Sequence, residues 1–413
     1  MSKKQKGWGL GDIPISLLLL LAGLGYWWLI YLGNFNKFWI QVQALMPSLE
    51  SPAPTPSPIQ SLSLPSPSPS PSPEAFSPPS EQQPSSFAAP SPTRQPSPSS
   101  PDPTAIANAP IPPAWEKKPM RGIYLSRYQA TNNASEQTIR ERVRYYKSQG
   151  INTIIQGVWG NGCTMYNSII LQQTLGFKSC PNQFQDQWLD WMIDEAEKQG
   201  MQVHAYFEKG IKIDKNSPIL DLARSRKWLV PGVDKTYAAV DHYVLDVEIP
   251  EVANLFRQIS SEFVRRYPKI DAVQWDDYLG YHADLPGRVD RTAHLTQFVL
   301  QMRTEVKKAN PAVSFDICHH NPYWAKRYFA ADWEKWQVNR VFIQVYNDKN
   351  FREEMPYAEK YAGVAIADTQ LHRLPDLLKN PKIKHVLIFP FSGNPEQAAA
   401  LTLEKAHSTH SKK

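Results

Sequence analysis

The sequence lacks the signatures of several common enzyme classes. Its 413 residues contain no glycine-rich phosphate loop and no Gly-x-Ser-x-Gly nucleophile elbow, the motifs that mark phosphate binding and serine-hydrolase chemistry. No His-x-His or His-x-x-x-His pair stands at the end of a predicted strand, which disfavours a metal centre. The formal net charge is only +6. Because the positive charges are scattered and form no basic stripe, we expect no nucleic-acid partner.

Cysteine is scarce as well, with three residues in the chain. Cys163 and Cys180 lie within one insert, where a disulfide would be permitted if the domain is outside the cytoplasm. The sequence leaves that pairing open. Cys318 falls inside a predicted strand, and we expect it to be buried and structural.

The N-terminal segment has the composition of a membrane anchor. Lysines occupy the basic stretch 1–14, and an apolar run of about eighteen residues, 15–32, is just long enough to cross the hydrocarbon layer. Lysines before the run and aromatic rings near its far end predict a transmembrane helix. In that orientation the N-terminus is cytoplasmic and the remaining chain extracytoplasmic. A cleaved signal peptide is the alternative.

Residues 47–114 are rich in proline and serine and poor in large apolar side chains. Such a composition cannot form a core, and alternating proline favours extended polyproline II. We therefore predict a disordered linker between the anchor and a folded domain at 115–406.

Within 115–406, apolar β-rich runs alternate with helical patterns, which predicts a single (β/α)8 TIM-type barrel. The predicted strands are Met120–Ser126, Asn152–Trp159, Gln202–Glu208, Asp271–Asp277, Ser314–Cys318, Arg340–Tyr346, Gly363–Asp368 and His385–Phe391. Long inserts follow the second and third strands. In a barrel, loops after strands lie on the catalytic face.

Polar side chains recur at the ends of these strands. Alternation along a strand puts Gln274 and Asp276 on the lumen face, with Asp277 at the rim. The same count places Tyr206 and Glu208 on one face of the third strand. Gln344 and Tyr346 share a face of the sixth. Three polar strand ends in register indicate a site.

Two of these acids stand on adjacent predicted strands. Because neighbouring strands lie about 4.8 Å apart, Asp276 and Glu208 are expected at the roughly 5–5.5 Å carboxyl spacing of a retaining glycosidase. In this hypothesis Asp276 attacks or stabilises the sugar centre, and Glu208 protonates the leaving oxygen. Asp277 either perturbs its neighbour or caps the following turn. Asp316 is a further lumen candidate.

Aromatic and histidine side chains complete the predicted substrate site. Flat rings stack on the apolar faces of sugars, which suits a carbohydrate cleft. The predicted binding rings are Trp159, Tyr206, Tyr278 and Tyr346, and further rings near strand ends include Tyr323 and Trp324. His319 and His320 are expected to hydrogen-bond to substrate. A metal site formed by them with nearby acids is the rival hypothesis.

Several of these stretches, taken in order, resemble the glycosyl hydrolase-like 10 (GHL10) family. They are Met120–Leu125, Gly150–Thr153, Val158-Trp159, Tyr206–Glu208, Ile270–Tyr278, Asp332–Trp336 and Gln344–Tyr346. The similarity extends from about Pro119 to the C-terminus. It implies a (β/α)8 glycosidase-type barrel acting on a cell-envelope or extracellular polysaccharide. It also implies a catalytic role for Asp276-Asp277 and, less directly, for Glu208.

The main prediction is therefore a membrane-anchored glycoside hydrolase that uses paired carboxylates. It has a polysaccharide or oligosaccharide substrate and no cofactor or bound metal, and its membrane contact is one N-terminal helix. An inactive carbohydrate-binding barrel is the first alternative. A metal-dependent polysaccharide deacetylase or other hydrolase is the second.

Overall fold

The structure, a computed structural model, describes residues 110–127, 133–181, 184–235, 241–282, 285 and 290–408. The basic N-terminus, the predicted anchor 15–32 and nearly all of the predicted linker lie outside these residues. Within the described ranges, no helix combines the length and apolar character needed to cross a membrane.

Eight parallel strands form a closed barrel, as predicted. In chain order the strands are β1 Met120–Leu125, β2 Thr153–Gly160, β3 Cys163–Thr164, β4 Gln202–Phe207, β5 Lys212–Ile213, β6 Tyr243–Val244, β7 Ala272–Asp276, β8 Ser314–His319, β9 Arg340–Val345, β10 Gly363–Ala367 and β11 His385–Phe389. The ring runs β1-β2-β4-β7-β8-β9-β10-β11, and β1 pairs with both β2 and β11 to close it. The barrel strands end within two residues of their predicted positions.

Helices surround the barrel. The described helices are α1 Pro113–Glu116, α2 Glu136–Ser148, α3 Ile169–Leu175, α4 Trp188–Lys198, α5 Leu220–Ser225, α6 Pro250–Arg266, α7 Arg291–Ala309, α8 Pro322–Phe329, α9 Phe351–Tyr361, α10 Leu374–Lys379 and α11 Pro395–Ser408. Short 3₁₀ helices lie at Asp277–Leu279, Trp333–Lys335 and Asp368–Arg373. Helix α2 is capped at its N-terminus, because the Ser135 hydroxyl accepts the Thr138 N–H at 3.2 Å.

The strands read as apolar runs because both of their faces are buried. Outward side chains such as Val203 and Val273 join the main core beneath the helices. Lumen side chains, among them Ile155, Phe342 and Leu387, form a second, smaller apolar cluster.

The two long inserts have their own structure. After β2 the chain forms β3 antiparallel to β2 and then α3, and a Cys163–Cys180 disulfide links this insert internally, with Cα atoms 4.9 Å apart. After β4, strand β5 pairs antiparallel with β6. Strand β6 therefore lies in the insert, shortly before α6. Cys318, in β8, is buried, as expected, and its thiol is not part of a disulfide.

Candidate active site

Strand register brings Glu208 and Asp276 to the same level of the barrel rim. In the β4–β7 ladder Tyr206 lies opposite Gln274, so Glu208 and Asp276, each two residues further on, follow at neighbouring strand ends. The Tyr206 hydroxyl donates a hydrogen bond to Asp276 Oδ2. The Tyr278 N–H donates to Asp276 Oδ1 at 3.0 Å. Asp276 is therefore fixed on both carboxyl oxygens.

The surroundings of Asp276 favour the protonated form of its carboxyl group. Burial, followed by repulsion from Asp277, raises the pKa of Asp276 well above its usual value, and the charge of Glu208 acts in the same direction. The hydrogen bonds from Tyr206 and from the Tyr278 N–H oppose this shift by stabilising the carboxylate. Since burial dominates, the environment favours the protonated acid.

Asp277, which the sequence predicts at the rim, is almost fully buried. The 3₁₀ helix begins at Asp277, so strand alternation ends at Asp276 and the Asp277 side chain turns inward. It is 3% exposed, accepts Gln344 Nε2 at 3.0 Å and lies 3.8 Å from His320 Nε2. The suggestion that Asp277 caps the turn is wrong, because Asp276 accepts the capping Tyr278 N–H.

Glu208 is more accessible, with 21% of its side chain exposed. Arg127 holds it twice, through a guanidinium nitrogen at 3.3 Å and through the backbone N–H at 3.1 Å. The Ser126 hydroxyl lies 3.4 Å from both carboxyl oxygens. The sequence analysis missed Ser126 and Arg127 as site residues. They follow β1 at its carboxyl end, so the rule that identified Glu208 applied to them too.

A cavity of about 200 Å³ opens beside these groups at the barrel mouth. Its walls include Tyr124, Tyr206, Glu208, Tyr278 and Phe389. Asp276 lies behind Tyr206 and is 5% exposed. The cavity thus presents one accessible carboxylate, aromatic walls and a buried acid behind a tyrosine hydroxyl. A larger groove, of about 930 Å³, runs along the outer helices and contains none of the predicted site residues.

Of the predicted binding side chains, Tyr206 and Tyr278 line this cavity, and Gln274, Gln344 and Tyr346 lie inside the barrel near it. Gln274 Nε2 donates to the Tyr124 hydroxyl. The Tyr346 hydroxyl lies 3.8 Å from Cys318 Sγ, and its ring is 5.5 Å from that of Phe389. Gln344 contacts Asp277. These groups form one layer of the lumen beneath the mouth.

Trp159 is not part of the cavity, contrary to the prediction. A β-bulge between Gly157 and Trp159 shifts the register against β4, so that Trp159 pairs with outward-facing Phe207. The indole is fully buried, donates to the Gly210 carbonyl at 2.9 Å and packs on Phe256. Trp159 belongs to the core between barrel and helices.

Asp316 does face the lumen, but below the site. Its register partner on β7 is Gln274, two residues before Asp276. The guanidinium of Arg340 binds Asp316 Oδ2 at 2.7 and 2.8 Å, and His204 Nδ1 lies 3.9 Å away. Burial raises the pKa of Asp316 to about 6 against the opposing pull of Arg340. Asp316 is an interior ion-pair residue, not a substrate contact.

The two adjacent histidines separate, as strand alternation requires. His320 is partly exposed beside Asp277, and its ring stacks on Phe329 at 5.2 Å. His319 is fully buried against Phe329, and its ring nitrogens find no hydrogen-bond partner among the described residues. Burial lowers the pKa of His319 to about 3. His319 therefore does not contact substrate in this arrangement.

A buried ion pair that the sequence did not reveal supports the site from behind. Lys212, on β5, lies 3.0 Å from Asp234, and both side chains are fully buried. The Lys212 ammonium is 5.3 Å from the centre of the Tyr278 ring. No sequence pattern marks this pair, because it depends on how the insert after β4 folds back. In the described part of the chain, no three His, Cys, Asp or Glu side chains are grouped as a metal ion would require.

A closed (β/α)8 barrel with an accessible and a buried acid at the carboxyl rim has the architecture of a glycoside-hydrolase-type barrel. Residues 119–290 match the model of the family described as glycosyl hydrolase-like 10. The family match ends at residue 290, whereas the resemblance seen in the sequence extends to the C-terminus.

Curated proteins are similar in sequence to part of the chain. Glycosyl hydrolase DigH of Escherichia coli (strain K12) is 32% identical over 211 residues, which cover 43% of this chain and 46% of that protein. The same protein of Shigella flexneri matches equally. The chain thus spans about half the length of the curated relatives it matches.

Solved structures resemble it more distantly. An Anoxybacillus α-amylase is 12% identical with a TM-score of 0.47, over 72% of this chain and 79% of that one. The GH36 α-galactosidase AgaB from Geobacillus stearothermophilus is 13% identical with a TM-score of 0.44, over 71% and 42%.

Because His319 is buried, the free energy of unfolding is expected to fall as the pH is lowered. An unfolded histidine has a pKa of about 6.5, above the folded value of about 3. The unfolded state therefore takes up the proton first as pH falls, and stability present above pH 6.5 is lost by about 1.4 kcal/mol per pH unit below it. We expect the drop in unfolding free energy from pH 7 to pH 5 to shrink by about 2 kcal/mol in His319→Gln. Urea denaturation at both pH values measures this. The exposed His372→Gln variant should keep the native drop, and an unchanged drop in His319→Gln would contradict the assignment.

Proposed function

We propose that the protein hydrolyses glycosidic bonds of a polysaccharide with Glu208 and Asp276 as its paired acids. The observation that carries this proposal is the rim arrangement: two carboxyl groups on adjacent strand ends, one accessible and one buried, beside an aromatic-walled cavity. Glycoside hydrolysis needs one group that gives a proton and one that acts as a carboxylate. The match of residues 119–290 to the glycosyl hydrolase-like 10 model supports the same reaction class.

The environments favour roles opposite to those expected from the sequence. Asp276 is buried next to Asp277, which favours the protonated acid. Glu208 lines the cavity, and the cationic Arg127 binds it. We therefore assign Asp276 as the proton donor, acting beside Tyr206, and Glu208 as the carboxylate that meets the sugar or its attacking water. The anomeric configuration of the first product formed would distinguish a retaining from an inverting reaction.

The substrate is proposed to be a cell-envelope or extracellular polysaccharide. Support comes from the aromatic walls of the cavity, which suit sugar faces. The name of DigH, a glycosyl hydrolase, agrees with the reaction class. The alternative of a silent carbohydrate-binding barrel shares these walls and differs only in lacking turnover.

We also propose that the folded domain works outside the cytoplasmic membrane, tethered by the apolar segment 15–32. The basic residues before that segment support this orientation, and the Cys163–Cys180 disulfide suits an oxidising compartment.

Protease accessibility measures this location. In spheroplasts carrying the full chain with a C-terminal epitope, added protease should remove the epitope, and the chain should stay in the membrane fraction after alkaline carbonate extraction. A cytoplasmic control protein must survive the protease. Protection of the epitope, or release of the chain by carbonate, would refute the location or the anchor respectively.

Removing either acid should stop turnover. We expect Asp276→Asn and Glu208→Gln each to lower the rate of reducing-end release by about 10²- to 10⁴-fold, because each removes one proton-transfer or carboxylate group. The assay incubates the full chain with a panel of bacterial envelope polysaccharides. Asp316→Asn, which alters an acid below the site, is the matched control for losing a lumen carboxylate, and its folding is checked by circular dichroism. Turnover by native protein that persists in both acid variants would exclude this pair.

Two further variants test which acid holds the proton. If Asp276 must be protonated, activity falls as pH rises through its pKa. Tyr206→Phe removes a hydrogen bond that lowers this pKa, so the alkaline limb of the rate profile should move to higher pH. Asp277→Asn removes a like charge, so the same limb should move to lower pH. Rate profiles between pH 4 and 10 measure both shifts. The same two shifts appearing on the acid limb instead would assign Asp276 as the carboxylate.

A further inference from the structure

A row of exposed rings leads away from the candidate active site along α8. Among the described residues, Tyr323, Trp324 and Tyr328 are 60%, 37% and 38% exposed, and they account for three of the five most exposed large apolar side chains. The helix follows β8 and therefore begins at the barrel rim. A group of neighbouring exposed aromatic rings is typical of a surface that contacts a ligand or partner.

The row is continuous with the acids of the site. His320, whose Nε2 lies 3.8 Å from Asp277, has its ring 6.3 Å from Trp324. The Trp324 ring is 5.5 Å from that of Tyr328. Each step is comparable to one sugar unit of an extended chain. A polymer occupying the cavity could therefore continue over these rings.

A cation accompanies the rings. The Arg327 guanidinium lies 5.6 Å from the Tyr328 ring centre and 6.0 Å from that of Tyr323, and it donates to the Tyr323 hydroxyl at 3.2 Å. In the ranges that the structure describes, Arg327 forms no ion pair with a carboxylate. Its neighbour Lys326 differs, because it is paired with Asp332 at 3.2 Å. Arg327 thus offers an uncompensated positive charge within an aromatic surface.

We propose that Tyr323, Trp324, Arg327 and Tyr328 form a binding platform for an acidic polysaccharide, outside the catalytic cavity. Sugar faces stack on Trp324 and Tyr328, and a sugar carboxylate pairs with Arg327. The platform extends the substrate path from the cavity past His320 and selects glycans that carry acidic sugars. This proposal rests on the proposed function for its class of ligand, but it concerns binding and not turnover.

Affinity electrophoresis of the full chain tests it. The probes are two matched pairs of soluble polymers: carboxymethyl-cellulose with hydroxyethyl-cellulose, and polygalacturonate with its methyl ester. Migration is compared with that in a gel without polymer, which removes the effect of each variant's own charge. We expect at least one acidic polymer to retard the native chain more than its neutral partner.

The variants then locate the effect. Trp324→Ala should weaken retardation on the order of tenfold, and Arg327→Gln should abolish the preference for the acidic polymer while leaving neutral binding unchanged. Lys326→Gln, which removes an adjacent but paired cation, and Ile169→Ala, which removes an equally exposed apolar side chain on α3, should behave as native. Asp276→Asn should also bind as native, so that loss of hydrolysis and loss of the platform are distinguishable.

Several results would overturn the proposal. Retardation by none of the four polymers would do so, as would equal retardation of the native chain and Trp324→Ala. An acidic preference that survives Arg327→Gln, or that Lys326→Gln removes equally, would assign it to the general positive charge of the chain.

Discussion

The pairing of β4 with β7 is the contact on which the rest of the site depends. Because Tyr206 lies opposite Gln274, the two residues that follow each of them, ending in Glu208 and Asp276, reach the rim together. A slip of one residue would turn one of these acids into the helix layer. The closed ring resists such a slip, since every strand is hydrogen-bonded on both sides.

The polar side chains of the barrel interior are bound in separate groups. Near the rim, Tyr206 donates to Asp276 and Gln344 donates to Asp277. Below it, Asp316 is neutralised by Arg340. Arg340 thus compensates the charge of Asp316 inside the barrel, whereas Tyr206 lines the cavity at the barrel mouth. Burial of Asp276 next to Asp277 is tolerated because hydrogen bonds reach both Asp276 oxygens and because the acid can hold a proton.

The sequence predicts the barrel well for a physical reason. Strands buried on both faces leave uninterrupted apolar runs, and these runs locate Met120, Gln202 and Ala272 close to the true strand starts. It also predicts that Tyr206 and Asp276 share the lumen, because alternation is local. It fails where the backbone departs from alternation. The bulge before Trp159 and the 3₁₀ turn at Asp277 each reverse a side chain, and no residue pattern announces them.

Contacts between distant segments are the second kind of feature that the sequence does not reveal. Arg127 reaches Glu208 across 81 positions, and Lys212 finds Asp234 only because β5 pairs with β6. Both contacts place charged groups near the rim, and the roles proposed for the two acids follow from their surroundings and not from their residue types. An aspartate and a glutamate are interchangeable in sequence. Asp276 is buried behind Tyr206, which suits it to hold a proton. Glu208 is more exposed and lies beside Arg127, which suits it to meet the sugar.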